Sequence, residues 1–538
     1  MESLANDLSF MQRTPLHDTH VACLREHGTE RTVAAGDVII PMGAPQANFV
    51  YVLAGELELV NPVTGERHLP HGLGPTQFAG EISFLHGGNV MISIRAATES
   101  RILEVPRASI LQLMSAIPEM SDIIITVFAA RRRRMLEAGD SSLTLIGADE
   151  TSAMRSVKAF VSRNRLPARE LSLGSPEAIE SATACGLNGR EPAVIVAGQQ
   201  SVKAPCPTAV AKALGLDLAL DADAEVDVLI VGAGPSGVAA GVYAGAEGLS
   251  ALVVDSLAVG GQAGTSSRIE NYMGFPTGIS GADLVWRGEI QAMKFGTRFT
   301  MPRTVRSLQQ EEDGLFCAEL DDGFVVRARS VIVAAGVQYR RLPIEGLQQL
   351  EGMGVYYAAT ESEARYCRDA EVIVVGGGNS AGQAAMYLSR SAKHVHVLVR
   401  GKSLAASMSD YLTSRLDSDP AVSVHYETEM QALHGERALE AVTLLDKSCG
   451  EARRLETPAA FVMVGAAPNT AWLSDLIQLD ARGFVLTGDA IGQEHRFATS
   501  CPGIFAVGDV RSGSVKRVAS AVGEGSVAIS EVWSFLSA

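Results

Sequence analysis

The chain has 538 residues, 47% apolar and only 20% charged, enough to bury several cores and too many for one ordinary domain. Its 61 acidic against 45 basic residues give a formal charge of −16, which repels phosphate backbones and anionic lipid and argues against nucleic-acid or membrane-surface work. No apolar run reaches the roughly 18 residues of a membrane span, and seven scattered cysteines, none in a C-x-x-C pair, with no secretory pattern at MESLANDLSF, lead us to expect a cytoplasmic protein rather than a disulfide framework.

Residues 15–135 carry short β-type runs, GDVIIPMG, FVYVLAGELELV and RAATESRILEVP, followed by the helical DIIITVFAARRRR. The pattern predicts a small N-terminal β-barrel closed by helices. The run Arg131–Arg134 reads as a helix end, where arginine suits the negative pole of the dipole, exposed to solvent or touching another domain; binding of an acidic partner is the alternative. Through Gly36, Gly43, Gly55-Glu56 and FAGEISFLHGGN the segment resembles the cyclic nucleotide-binding domain family. The resemblance implies a loop at Gly80-Glu81 whose amides hold a cyclic phosphate while Glu81 takes a ribose hydroxyl. The arginine that neutralises the phosphate in that family is replaced by Val90, and Arg95 lies too far along to substitute simply. The expectation is therefore a docking or regulatory barrel, with a small anionic ligand as the lesser reading.

Residues 140–220 alternate β-branched runs and amphipathic stretches: SLTLIG, TSAMRSVKAFVSRN, ARELSL, SPEAIESATACGL, EPAVIVAG and PTAVAKALGL. They predict a compact α/β unit that resembles a thioredoxin- or glutaredoxin-like domain. Active members open their first helix with C-x-x-C; here that place reads GADETSAM, and Pro192 stands where such folds place a cis proline. A spacer or adaptor without redox chemistry is expected.

The strongest signal is VDVLIVGAGPSGVAAGVYAGAEG. An apolar strand runs into Gly232, Gly234, Pro235, Ser236 and Gly237 at the start of a small-residue helix, which brings a pyrophosphate to the helix N-terminus. Asp255 ends the next strand, ALVVDS, at a spacing suited to an adenosine ribose. With GGQAGTSSRIENYMGFP and CPGIFAVGDVRSGSVKRVASAVGEG the segment resembles the low-molecular-weight thioredoxin reductases and their pyridine nucleotide-disulfide oxidoreductase relatives. The resemblance implies FAD, with Gly261, Gln262 and Asn271 near the flavin, Gly508 and Asp509 at the ribityl or phosphate portion, and Lys516, Arg517 and Val518 opening a helix aimed at the ring carbonyls. The family's usual Arg-Gln pair is Lys516-Arg517 here.

A second dinucleotide turn lies in EVIVVGGGNSAGQAAMYLSR, with Gly376, Gly378, Asn379, Ser380 and Ala381. The next strand, HVHVLVR, ends at Arg400, with Lys402 close behind; basic residues here favour the 2′-phosphate of NADPH over NADH. The predicted fold is multidomain α/β with an N-terminal β-barrel and two Rossmann-like three-layer domains: an FAD domain of 225–342 and 469–538, and an NADPH domain of 343–468 inserted into it. No metal site is expected, and the resemblance implies a homodimer.

The C-A-T-C of active thioredoxin reductases falls on Ala358, Ala359, Thr360 and Glu361, so both redox sulfurs are missing. Cys367 is a solitary thiol, and Glu361 is a candidate proton donor or a plain surface charge. The expected function is an FAD-dependent oxidoreductase that takes hydride from NADPH and passes electrons to an acceptor outside the polypeptide. Ferredoxin or flavodoxin reduction, quinone or disulfide reduction through external thiols, and a redox sensor regulated by its N-terminal modules are the alternatives.

Overall fold

The computed structural model describes residues 13–60, 65–67, 71–80, 83–87, 90, 92–138, 143–196, 200–202, 204–214, 216, 225–266, 268–357, 359, 361–405, 407–436, 438–473 and 476–537. Glu81, Ala358 and Thr360 lie outside them, as does the side chain of Glu361. After a helix at Asp18–His27 come two antiparallel sheets, one of Thr29–Val33, Ser100–Pro106, Asn48–Ala54 and Phe78–Ala79, the other of Val38–Ile40, Ser93–Ala96 and Leu57–Val60. Val90 packs into the core between them, and Arg95 is spent on the facing Glu58, with Nε at 2.9 Å from Oε1. Neither residue offers the barrel a cation for a phosphate.

The long helix α1 (Pro118–Ala138) closes this module. Phe78, Phe84 and Phe128 stack edge to face beneath it, a dry contact with directional preference as well as buried area. Arg131 donates from Nη1 to Phe78 O at 2.7 Å and Gly80 O at 2.8 Å, at the very loop the ligand signature occupies. Arg132 is buried and reaches the other way, donating to Arg165 O at 3.3 Å in the next module. Arg132 is thus a domain contact while Arg131 stays within its own module, and the run lies inside α1 rather than at the helix end the sequence suggested.

The second module contains β1 (Leu143–Ile146), α2 (Ser152–Arg163), β2 (Arg169–Leu171), α3 (Pro176–Ala184), β3 (Ala193–Val196), β4 (Gln200–Ser201) and α4 (Pro207–Ala213). The sheet order is β4-β3-β1-β2, parallel between β1 and β2 and antiparallel elsewhere. Thr151 caps α2 by accepting from Met154 N, and Met154, Val157, Phe160 and Val161 form its buried stripe. The shape needs only this apolar packing, so it survives without thiols. Among the described residues the one cis peptide is Met301–Pro302; the expectation for Pro192 is not met.

The first dinucleotide half contains β5 (Glu225–Val231), α5 (Pro235–Ala246), β6 (Ala251–Val254), α6 (Gly281–Lys294), β7 (Arg298–Thr300), β8 (Val305–Gln310), β9 (Phe316–Leu320) and β10 (Val325–Val333). Its sheet runs β7-β6-β5-β10-β9-β8, with the β7-β6-β5-β10 portion parallel. Strand β5 is buried along five of its seven residues, as a central parallel strand covered on both faces must be. The second dinucleotide half contains β11 (Val355–Tyr356), β12 (Glu371–Val375), α7 (Asn379–Leu388), β13 (His394–Val399), α8 (Asp410–Ser418), β14 (Val422–Tyr426) and β15 (Ala460–Val462) in the parallel order β11-β15-β12-β13-β14. Val337–Tyr339 pairs antiparallel with Ala466–Pro468 where the chain leaves the first half and returns to it. Strand β16 (Ile504–Ala506) then joins β10, and α9 (Val518–Ser537) packs on α5.

Three modules meet on α6, where Arg165 of the second module pairs with Asp283 at 2.6 Å and lies over the Trp286 ring. Burial pushes the nearby Glu289 carboxyl up to about 7, although Arg132 and Arg165 both pull it down. A carboxyl that holds its proton more tightly when folded contributes most below its unfolded value, and loses that contribution as pH rises through about 7. Glu289→Gln stays neutral throughout. The wild-type melting temperature should therefore fall between about pH 5 and about pH 8 by roughly 3 °C more than the variant's. Equal slopes in scanning calorimetry would contradict this assignment.

Candidate functional site

The first turn is built by backbone crowding. Gly232 has φ +107°, and a Cβ there would lie 2.3 Å from Ala334 O; one at Gly237 would lie 1.8 Å from Gly232 O. Gly234 is different, because a Cβ there would meet no protein atom within 4 Å. The turn is closed against the protein at its first and third glycines and open outward at its second, which is the cradle a pyrophosphate needs at the N-terminus of α5.

Asp255 does more than the sequence foretold. Oδ2 accepts from Ala233 N at 2.8 Å, while Oδ1 accepts from Leu257 N at 3.0 Å and Ala258 N at 3.1 Å. An ionised carboxylate has about four acceptor positions, so this one fastens the turn to the following loop and retains capacity for a ribose hydroxyl. Gly260 N donates to Ala233 O at 2.7 Å, and a Cβ on Gly261 would come within 3.0 Å of Gly234 Cα. Gln262 donates from Nε2 to Val337 O, tying the loop to the strand that leaves the domain.

The late motif meets the early one. A Cβ on Gly508 would lie 2.6 Å from Ser236 Oγ, and one on Gly525 of α9 would lie 2.2 Å from Ser236 O. Glu524, which sequence reasoning missed, accepts from Gly508 N at 2.7 Å and from Arg511 Nη2 at 2.7 Å, so α9 fixes the strand end carrying Asp509. Burial lifts the Asp509 carboxyl above its usual range, opposed by Lys516 and reinforced by Glu524. Lys516 is exposed, its Nζ 5.0 Å from the Phe484 ring centroid; Arg517 and Asn271 are also exposed, and Val518 begins α9.

The second turn repeats the first. Gly376 has φ +148°, and a Cβ there would lie 2.4 Å from Met463 O; Gly378 caps α7, and Ala381 is fully buried in the place of the third glycine. Asn379 Oδ1 accepts from Ser409 N at 2.8 Å, and Ser407 Oγ donates to Gly377 O at 2.6 Å. The loop after β13 is thereby held against the turn, while Ser380 stays exposed. Arg400 is exposed at the end of β13, and Lys402 lies 3.6 Å from Glu427.

Between the two halves lies a cleft of about 110 Å³ lined by Thr265, Ser266, Ala359, Ser380, Gln383 and Tyr387, among others. Arg415 bridges it by pairing with Glu270 at 2.9 Å. Ala359 lies next to the first of the two redox positions, 358 and 361, which read alanine and glutamate in the sequence. No two of the seven cysteines form a disulfide. Cys367 is fully buried and donates to Glu363 O at 3.3 Å; burial, helped by Glu363, pushes its thiol up to about 12. A thiol so protonated is a packing group.

Two dinucleotide turns in one chain, with the second turn's helix and the 265–270 segment of the first half lining one cleft, are the architecture of a flavin- and nicotinamide-dependent oxidoreductase. The pyridine nucleotide-disulphide oxidoreductase family model matches residues 226–525, so the chain belongs to that family; a cyclic nucleotide-binding domain model matches residues 30–116. Within the family the chain is thioredoxin reductase-like. It is 34% identical to the thioredoxin reductase of Treponema pallidum over 57% of this chain and 96% of that one, and 33% identical to that of Streptomyces clavuligerus over 58% and 94%. A crystal structure of Lactococcus lactis thioredoxin reductase in its FR conformation superposes with a TM-score of 0.54 at 28% identity, covering 58% of this chain and 99% of that one. The cofactors are FAD and NAD(P)H, and the chain is an FAD-dependent NAD(P)H oxidoreductase. No helix among the described residues is long and apolar enough to cross a membrane.

Proposed function

We propose that this chain oxidises NADPH through FAD and delivers the electrons to an acceptor outside its own polypeptide, without an internal dithiol relay. The observation that carries this reading is the cleft segment around Ala359, whose two redox positions read Ala358 and Glu361 in the sequence, with Cys367 buried as a lone, protonated thiol. FAD, when bound, supplies a centre that accepts two electrons and releases them singly or together. The chain's own residues do the rest. Gly232, Gly234 and Gly237 bring backbone amides to the pyrophosphate, Asp255 holds the ribose side, and Gly508 and Asp509 hold the middle of the cofactor. Gly376, Gly378 and the start of α7 would seat the nicotinamide dinucleotide, with Arg400 as the 2′-phosphate contact and Lys402, shared with Glu427, the weaker one. Homodimer formation and a small anion at the N-terminal barrel belong to the same proposal.

An anaerobic titration of the flavin-loaded protein tests the reading. NADPH should bleach the flavin at lower concentration than NADH, and addition of an acceptor panel of ferredoxin, flavodoxin, quinones and disulfides should restore colour catalytically with at least one member. Bleaching without turnover by any acceptor would favour a sensor, and repeated turnover only with thioredoxin disulfide would contradict the absence of a dithiol route.

A further inference from the structure

The second module touches the flavin half with three consecutive residues. Arg163, the last residue of α2, donates from Nη2 to Gly261 O at 2.8 Å. Asn164 donates from Nδ2 to Phe160 O at 2.8 Å, which holds it at the helix end, and to Leu257 O at 3.1 Å. Arg165 turns the chain with φ +50° and pairs with Asp283 at 2.6 Å. Leu257 itself packs against the core of the second module.

These contacts fall on the loop that sets the first glycine turn. From inside, Asp255 and Ala233 hold Leu257, Ala258 and Gly260; from outside, Arg163 and Asn164 hold Gly261 and Leu257. Gly261 is pressed onto Gly234 closely enough that an added Cβ would lie 3.0 Å from its Cα. A shift of the loop therefore reaches the open glycine of the cradle directly. We infer that the module without a dithiol is a working part of the flavin site, with Arg163 and Asn164 as positioning residues for the loop Leu257–Gln262. This rests on the placement of FAD at that loop given under Proposed function. A backbone held from one side relaxes by fractions of an ångström, and misplacement on that scale slows a reaction whose partners must align.

The test uses the full chain loaded with FAD, comparing wild type, Arg163→Ala and Arg163→Lys in stopped-flow reduction by saturating NADPH and in the visible spectrum. Arg163→Ala should reduce about tenfold more slowly with shifted flavin maxima and an unchanged apparent KM for NADPH, because the second turn is not involved. Lysine keeps one donor and should recover to within about threefold. If Arg163→Ala does not fold, Asn164→Ala is read in the same way, against the same expected slowing and spectral shift. A lowered melting temperature with wild-type spectrum and rate, or a slowing that lysine leaves unrestored, overturns the inference. Wild-type protein that stays colourless with added FAD removes the placement beneath it, and the inference falls with it.

Discussion

Gly237→Ala is expected to give protein that purifies without flavin. Its Cβ would lie 1.8 Å from Gly232 O and 3.3 Å from the Ala334 side chain, so the first turn of α5 has to move away from the end of β5. Helix α5 is fixed on its far side by α9, where Gly525 already sits against Ser236 O, so there is no free direction to move in. Overpacking of this kind costs about 1–3 kcal/mol and lifts the amides from the pyrophosphate as well. The flavin-to-protein ratio, read from visible and ultraviolet absorbance, should drop below about 0.1. Gly234→Ala separates the two effects: its Cβ meets no protein atom, so melting of the flavin-free protein should be unchanged while the cofactor is lost. A yellow Gly237→Ala protein would show that the turn tolerates the clash and that the reading of the cradle is wrong.

Gly376→Ala should leave the flavin in place and remove its reductant. The position combines φ +148°, which only glycine adopts without strain, with a Cβ 2.4 Å from Met463 O on the neighbouring strand end. Displacing this turn moves the N-terminus of α7 and Ser407, which holds Gly377. Reduction by NADPH in stopped flow should slow by about a hundredfold or more, with normal flavin absorbance before mixing. Unimpaired reduction at low NADPH would mean that the dinucleotide enters elsewhere.

The two Rossmann turns were legible because their chemistry is local: three glycines after an apolar strand and before a small-residue helix leave few other uses. The roles of particular side chains were less so. Asp255 was recognisable as a strand-end acid, but its hold on Ala233, Leu257 and Ala258 depends on how the loop folds back, which spacing does not encode. Glu524 looked like any polar residue in a small-residue helix until Gly508 was brought to it across sixteen positions. Arg163–Arg165 were missed entirely, since their partners lie about a hundred residues away and no periodic pattern marks such a contact. The four-arginine run was visible and its contact with another domain was one of the readings, but its two directions of contact were not.

Those two directions have a mechanical meaning. Neighbouring side chains leave a helix about 100° apart, so Arg131 grips the barrel loop and Arg132 the next module from different sides of one stiff rod. The helix is keyed like an axle at both bearings. It cannot turn to release the loop at Phe78 and Gly80 without twisting its grip on Arg165, whose side chain is anchored two residues from the one that holds Gly261.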